Sequence, residues 1–138
     1  MLGDINVTSL ARIDTGGGDV MHALKVHESD YVGFGEAYFS CVDGGVIKAW
    51  KKHTRMMMNL IVAVGNVRFV FFDASSNKFR EEIIGVDRYL RLCVPPGVWF
   101  GFQGLSFPQS LVLNIANMEH DPEEVERQEI SRIQYDWS

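Results

Sequence analysis

The sequence predicts a single all-β domain over residues 1–138, its strands closing into a barrel, with a short helix near the C-terminus. Three observations predict it. Apolar and polar residues alternate with a period of two through much of the chain. Thirteen glycines against four prolines suit many short strands joined by tight turns. A length of 138 residues with 46% hydrophobic residues suffices for one core. The net charge of −5 and the pI near 5.3 argue against nucleic acid as a partner, which would want a basic stripe. They leave room for a small anionic ligand in a locally basic pocket. Neither a signal peptide nor a run of about 20 apolar residues is present, and Cys41 and Cys93 lie in apolar segments. A reduced, cytoplasmic protein without a membrane partner is expected.

In chain order, residues 1–12 alternate weakly and read as an edge strand. The segment 14–19, DTGGGD, lacks the lysine and following helix of a phosphate-cradling loop and reads as a turn. Residues 20–26 form a short strand on which His22 shares a face with Leu24 and Val26, favouring a packed histidine over a ligand. The strand at 31–42 sets Phe34, Glu36, Tyr38 and Ser40 against Gly35, Ala37, Phe39 and Cys41. Either the carboxylate and phenol line the barrel or that face is solvated, and the pattern leaves both open.

Residues 45–65, GVIKAWKKHTRMMMNLIVAVG, read as two strands joined by a short turn. Strict alternation puts Ile47, Ala49, Lys51 and His53 on one face and Lys48, Trp50 and Lys52 on the other. Gly65-Asn66 is a tight turn into the strand 67–73; 74–80 is a polar loop, 81–86 a short strand, and 89–94 leads into the Pro95-Pro96-Gly97 turn. Trp99, Phe100 and Phe102 fall near the barrel mouth, and Trp99 could stack on a sugar or base. The strand 110–117 carries Asn114 as its polar interruption. Asp121 caps and Pro122 opens a helix whose first turn holds Glu123 and Glu124, which explains those carboxylates without catalysis. The apolar tail 133–137 should dock on the barrel or on a partner subunit.

The spacing of 45–65 resembles the first cupin motif: Gly45, five residues, Lys51-x-His53, four residues, Met58, six residues, Gly65. Pro95, Gly97 and Phe100 follow the frame of the second. Three of the four usual ligand positions are thus Lys51, Met58 and Phe100. His53 alone is too few for a divalent ion, so the resemblance implies a cupin jelly-roll barrel without metal or other cofactor, and it disfavours a metal-dependent oxygenase. From residue 32 onward, through GVIKAWKKH, AVGNVRFVFFD, PPGVWFGFQGL and YDW, the chain is similar to the dTDP-4-dehydrorhamnose 3,5-epimerase and dTDP-sugar ketoisomerase family.

An ungapped match places Glu36 and Tyr38 on the epimerases' Gln-x-Asn pair, Lys48 on their arginine and Lys51 on their catalytic histidine. Phe100 replaces another family histidine, and the strand around Asn114 lacks the family's proton-donating tyrosine. The ketoisomerases' His-x-His pair falls on Lys51 and His53. The resemblance implies proton abstraction next to the carbonyl of a nucleoside-diphosphate 4-keto-6-deoxysugar, in deoxysugar or polysaccharide biosynthesis. His53 would be the base, Lys51 a cation for the oxyanion and Tyr38 or Glu36 the group returning the proton. Glu36, Lys48, Arg55, Trp99, Phe100 and Asn114 form the expected substrate-binding set. The alternative is a non-catalytic cupin that binds a nucleotide sugar or carbohydrate. A homodimer is expected, because the apolar ends of the chain need covering.

Overall fold

A computed structural model describes residues 1–138. Two five-stranded antiparallel sheets face each other, as expected of an all-β jelly roll. The first holds β1 (Asn6–Ser9), β9 (Leu90–Val94), β6 (Met58–Val64), β11 (Gln109–Ala116) and β4 (Glu36–Asp43), in that order. The second holds β12 (Val125–Arg127), β5 (Ile47–His53), β10 (Trp99–Gly104), β7 (Asn66–Asp73) and β8 (Lys78–Gly85). A small hairpin, β2 (Arg12–Asp14) with β3 (Asp19–Met21), lies apart, and the glycine run is its turn. No helix is long and apolar enough to cross a membrane.

The main core fills the space between the sheets, where Leu60 and Val62 of β6 and Val112 of β11 meet Val67, Phe69 and Phe71 of β7 and Phe100 of β10. A second cluster lies on the outer face of the β5-β10-β7 sheet. There Trp50, Val70 and Trp99 are covered by Ile133 and Trp137 of the C-terminal tail. Arg68 also donates to the Trp137 carbonyl at 2.8 Å, so the tail docks on its own barrel. A third buried assembly pins the loop before β4, where Arg91 of β9 donates to Glu28 and Asp30 at 3.0 and 3.1 Å.

Several expected elements change. The two strands of 45–65 do not pair with each other; β5 and β6 enter opposite sheets, the corner-crossing that a jelly roll requires. The strand at 20–26 is only β3, and the polar loop at 74–80 is a short turn before β8, with Asn77 at φ 56°. No helix follows Pro122. Asp121 does cap, its side chain accepting from Glu123 N–H at 3.0 Å, but one turn later the chain extends as β12 along β5. Only a 3₁₀ turn, Ile130–Arg132, follows. Cross-strand pairing outweighs the local capping signal because β5 would otherwise be an uncovered edge.

Candidate active site

The site is organised by one irregularity. Along the β5–β10 ladder Phe100 pairs with Lys51 and Gly101 with Ala49, so Trp50 is the extra residue of a bulge. A bulge shifts the alternation by one, so Lys48 and Lys51, on opposite faces under strict alternation, both point to the barrel interior. Trp50 turns outward into the tryptophan cluster. Gly101 lets the strands close up here; a Cβ on it would lie 2.6 Å from that of Ala49.

The two lysines border a cavity of about 960 Å³ at the barrel mouth, together with Ser40 of β4, Phe100 and Phe102 of β10, and Arg127 of β12. The segment after β12 adds Glu129 and Arg132. Four cations against one carboxylate make a basic pocket in a protein of net charge −5. None of the four is in an ion pair; Lys48 donates only to the Cys41 carbonyl, at 3.1 Å. Burial, then Arg127 and Lys48, hold the Lys51 ammonium below its ordinary value.

Two residues beyond Lys51, His53 is buried and stacks on Phe100 at 5.8 Å between ring centres. Its Nδ1 forms a short contact with Glu124 Oε1. Glu124 is itself 1% exposed, and its Oε2 accepts N–H groups of Thr54, Arg55 and Met56 at 3.1, 3.1 and 3.2 Å. Burial would raise that carboxyl, but His53 and these backbone donors hold it below its ordinary value. An ionised Glu124 keeps the proton of neutral His53 on Nδ1 and leaves Nε2 as a base. Burial, helped by Lys51 and His120 and opposed by Glu124, holds the imidazole below its usual value.

Across the barrel, Tyr38 pairs with Asn114 in the β4–β11 register, and the Asn114 amide donates to the Tyr38 hydroxyl at 3.0 Å. The phenol proton is therefore free to be given elsewhere. Asn114 also contacts Met56, whose N–H is held by Glu124, which ties this wall to the histidine pair. Glu36, opposite Ala116, and Asn114 each keep a buried acceptor oxygen, Oε1 and Oδ1, without a partner. The β4 alternation left open by the sequence is thus resolved inward, with Val42 fully buried and Phe39 exposed.

Two expected substrate contacts lie elsewhere. Trp99 pairs with Lys52 on the outer face of the sheet and carries its ammonium at 5.1 Å from the ring centre. Regular alternation along β10, with Phe100 facing the core, fixes that orientation. Arg55 follows β5 on the exposed loop and is bonded to Asp121 at 2.6 Å, away from the cavity. Glu124, Arg127 and Arg132 were not among the expected site residues. A buried acid 71 positions from its histidine leaves no local signal, because β12 pairing alone brings them together. The positions that match the cupin ligand frame hold an amine, a thioether and a phenyl ring, and no group of three His, Cys, Asp or Glu side chains gathers in the structure. This donor set does not fit a divalent cation.

No family model matches the chain, and a search of curated proteins finds no match. Solved structures do match. A dTDP sugar isomerase from Desulfovibrio desulfuricans G20 is 32% identical, with a TM-score of 0.92 over 97% of this chain and 90% of that one. A variant of the 3,4-ketoisomerase QdtA from Thermoanaerobacterium thermosaccharolyticum, in complex with TDP-4-keto-6-deoxyglucose, is 16% identical (TM-score 0.78; 93% of this chain, 90% of that one). The dTDP-4-dehydrorhamnose 3,5-epimerase from Bacillus anthracis str. Ames, with TDP and PPi bound, is 17% identical (TM-score 0.81; 97% of this chain, 85% of that one). The latter two share the fold; the first also shares sequence along nearly the whole length, and on that identity, set on a jelly roll with this basic mouth, the chain belongs to the dTDP-sugar isomerase family.

Proposed function

We propose that the protein is a metal-independent isomerase of a nucleoside-diphosphate 4-keto-6-deoxysugar, acting by proton transfer on a carbon next to the carbonyl. The observation that carries the reading is the buried His53–Glu124 pair, two residues along β5 from Lys51, which lines a cationic cavity. Such a carbon–hydrogen bond needs a base that is neutral near pH 7 and a group that meets the carbonyl oxygen. His53 Nε2 supplies the first and Lys51 stands where the second belongs. Tyr38 can return a proton from the facing wall. Glu36 and Asn114 keep their unpartnered acceptors buried in the wall behind Tyr38, and Phe100 and Phe102 provide an apolar floor.

Lys48, Arg127 and Arg132 suit a diphosphate, because guanidinium groups bind phosphate oxygens in pairs and Lys48 adds a point charge. Replacing Arg127 or Arg132 by alanine should raise KM about tenfold or more, the scale of a lost charge-assisted hydrogen bond, and leave kcat within a few-fold. Steady-state kinetics separates the two parameters. The non-catalytic alternative gains less support, since a binding wall has no need of a carboxylate buried on three backbone donors to orient one imidazole.

The function itself is tested by incubating the protein with TDP-4-keto-6-deoxyglucose and following the sugar by proton NMR. A new epimer or keto-isomer is the expected result. Tight binding without any product would leave only the binding function. We further propose a cytoplasmic homodimer. The outer face of the first sheet exposes Phe39, Cys41 and Val64 and leaves Leu111, Leu113 and Ile115 half-buried, an apolar face fit for a second copy, and both cysteines are free thiols. Light scattering should return twice the chain mass of 15.6 kDa; a single chain mass would refute the dimer.

A further inference from the structure

Lys51 differs from the other cations of the cavity. It is half-buried where Lys48, Arg127 and Arg132 are exposed, it faces the interior beside Phe100, and like the two arginines it has neither a carboxylate nor a hydrogen-bond acceptor. The groups that face it are Lys48 from its own strand and Arg127 from β12, with Ser40, Glu129 and Arg132 further round the wall. An ammonium held among like charges gains by losing its proton, and the amine so formed is a nucleophile. Its position two residues from His53 on the same face also places a base beside any carbon it activates.

Resting on the reading that the substrate is a ketone, we propose that Lys51 condenses with that carbonyl, so that the proton transfer runs through a covalent iminium rather than a free enolate. The Lys51 nitrogen lone pair adds to the carbonyl carbon, and the carbonyl oxygen takes up a proton. Loss of one water from the resulting carbinolamine gives the cationic C=N bond. His53 then removes the neighbouring carbon-bound proton; that electron pair forms C=C, and the C=N pair returns to nitrogen as a neutral enamine. Reprotonation of the carbon, by Tyr38 on the facing wall or by His53, restores the iminium. One water adds, the C–N bond breaks, and the ketone and the free amine are released. No oxidant or cofactor is consumed.

The covalent route also restricts the outcome. Moving the carbonyl to the adjacent carbon would leave the sugar joined to Lys51 through a C–N single bond that water cannot cleave. Inversion or exchange next to the carbonyl returns the amine. An imine at Lys51 therefore makes the reaction an epimerisation, not a keto-isomerisation.

The test is reductive trapping. Wild-type protein is incubated with TDP-4-keto-6-deoxyglucose and cyanoborohydride in one sample, and with the same sugar in deuterium oxide in another. The expected result is an intact mass increased by the sugar nucleotide less one oxygen, mapped by peptide sequencing to Lys51. Lys51→Arg should form no such adduct. Deuterium entering the sugar without any adduct would overturn the imine and leave the isomerase reading standing. An adduct mapped to Lys48 would overturn the assignment to Lys51. Neither adduct nor exchange would overturn both. Because the mapping is done on the wild-type chain, it does not depend on the variant folding.

Discussion

Replacing His53 by asparagine should lower turnover by about 10²–10⁴-fold, the usual contribution of a positioned general base, while the KM for the sugar nucleotide changes little. The argument is positional. Lys48, Arg127 and Arg132, which would hold the charged end of the substrate, are untouched by the change. Glu124→Gln should follow in the same direction, since the amide neither fixes the imidazole tautomer nor stabilises the imidazolium. The pH profile gives an independent check. Burial holds the folded His53 below its ordinary value of 6.5, so the base stays neutral to lower pH than a free imidazole. The acid limb of kcat/KM should accordingly lie below pH 6.5. The same shift works against the folded state in acid. An unfolded chain takes up the proton first, so the stability attached to neutral His53 is complete above the unfolded value and is lost as the pH falls toward the folded one. An acid limb below the ordinary imidazole value that survives unchanged in His53→Asn would identify a different base.

The largest stability effect is expected at the other end of the chain. Trp137 is 9% exposed and packs at 5.5 Å from Trp50 and 5.2 Å from Tyr135, between ring centres. Trp137→Ala should cost about 3–5 kcal/mol, the range for emptying a buried aromatic site, and lower Tm by roughly 10–20 °C for a domain of this size. Calorimetry measures this directly. The change should reach function as well. Trp50 exchanges backbone hydrogen bonds with Gln128 at 3.1 Å, and its indole N–H donates to the Ile130 carbonyl at 3.2 Å. The extra residue of the bulge thus anchors the segment that carries Arg127 and Arg132. Loosening its packing should raise KM together with the loss of stability; a wild-type Tm would show that the tail is only an appendage.

Local signals in the sequence reached far into this fold. Strand periodicity, the glycine turns and Pro95-Pro96-Gly97 located most strands, and the cupin spacing marked the segments that become β5, β6 and β10. What failed were features decided between strands. A bulge is a property of a ladder, not of one strand, so strict alternation sent Lys48 outward, to the wrong side; Trp99 was instead grouped with Phe100 and Phe102, although alternation along β10 sets it on the opposite face. The stretch after Pro122 carried a sound capping signal, and the turn it marks exists, but a helix of that length has little intrinsic stability against pairing with β5. The same error hid Glu124. Assigned to a helix start, its charge was already explained; folded onto β5, it is the buried partner of His53. The sequence therefore revealed the imidazole and the amine and concealed the carboxylate and the two arginines, which arrive only through long-range contacts.

The most direct test of the central claim is solvent exchange by the wild-type protein. In deuterium oxide with TDP-4-keto-6-deoxyglucose, the proton signal of one carbon beside the carbonyl should disappear with time, faster than in a protein-free control and not at all faster with His53→Asn. Complete retention of both neighbouring protons, under conditions where binding is visible, would contradict the claim that this barrel enolises its ligand.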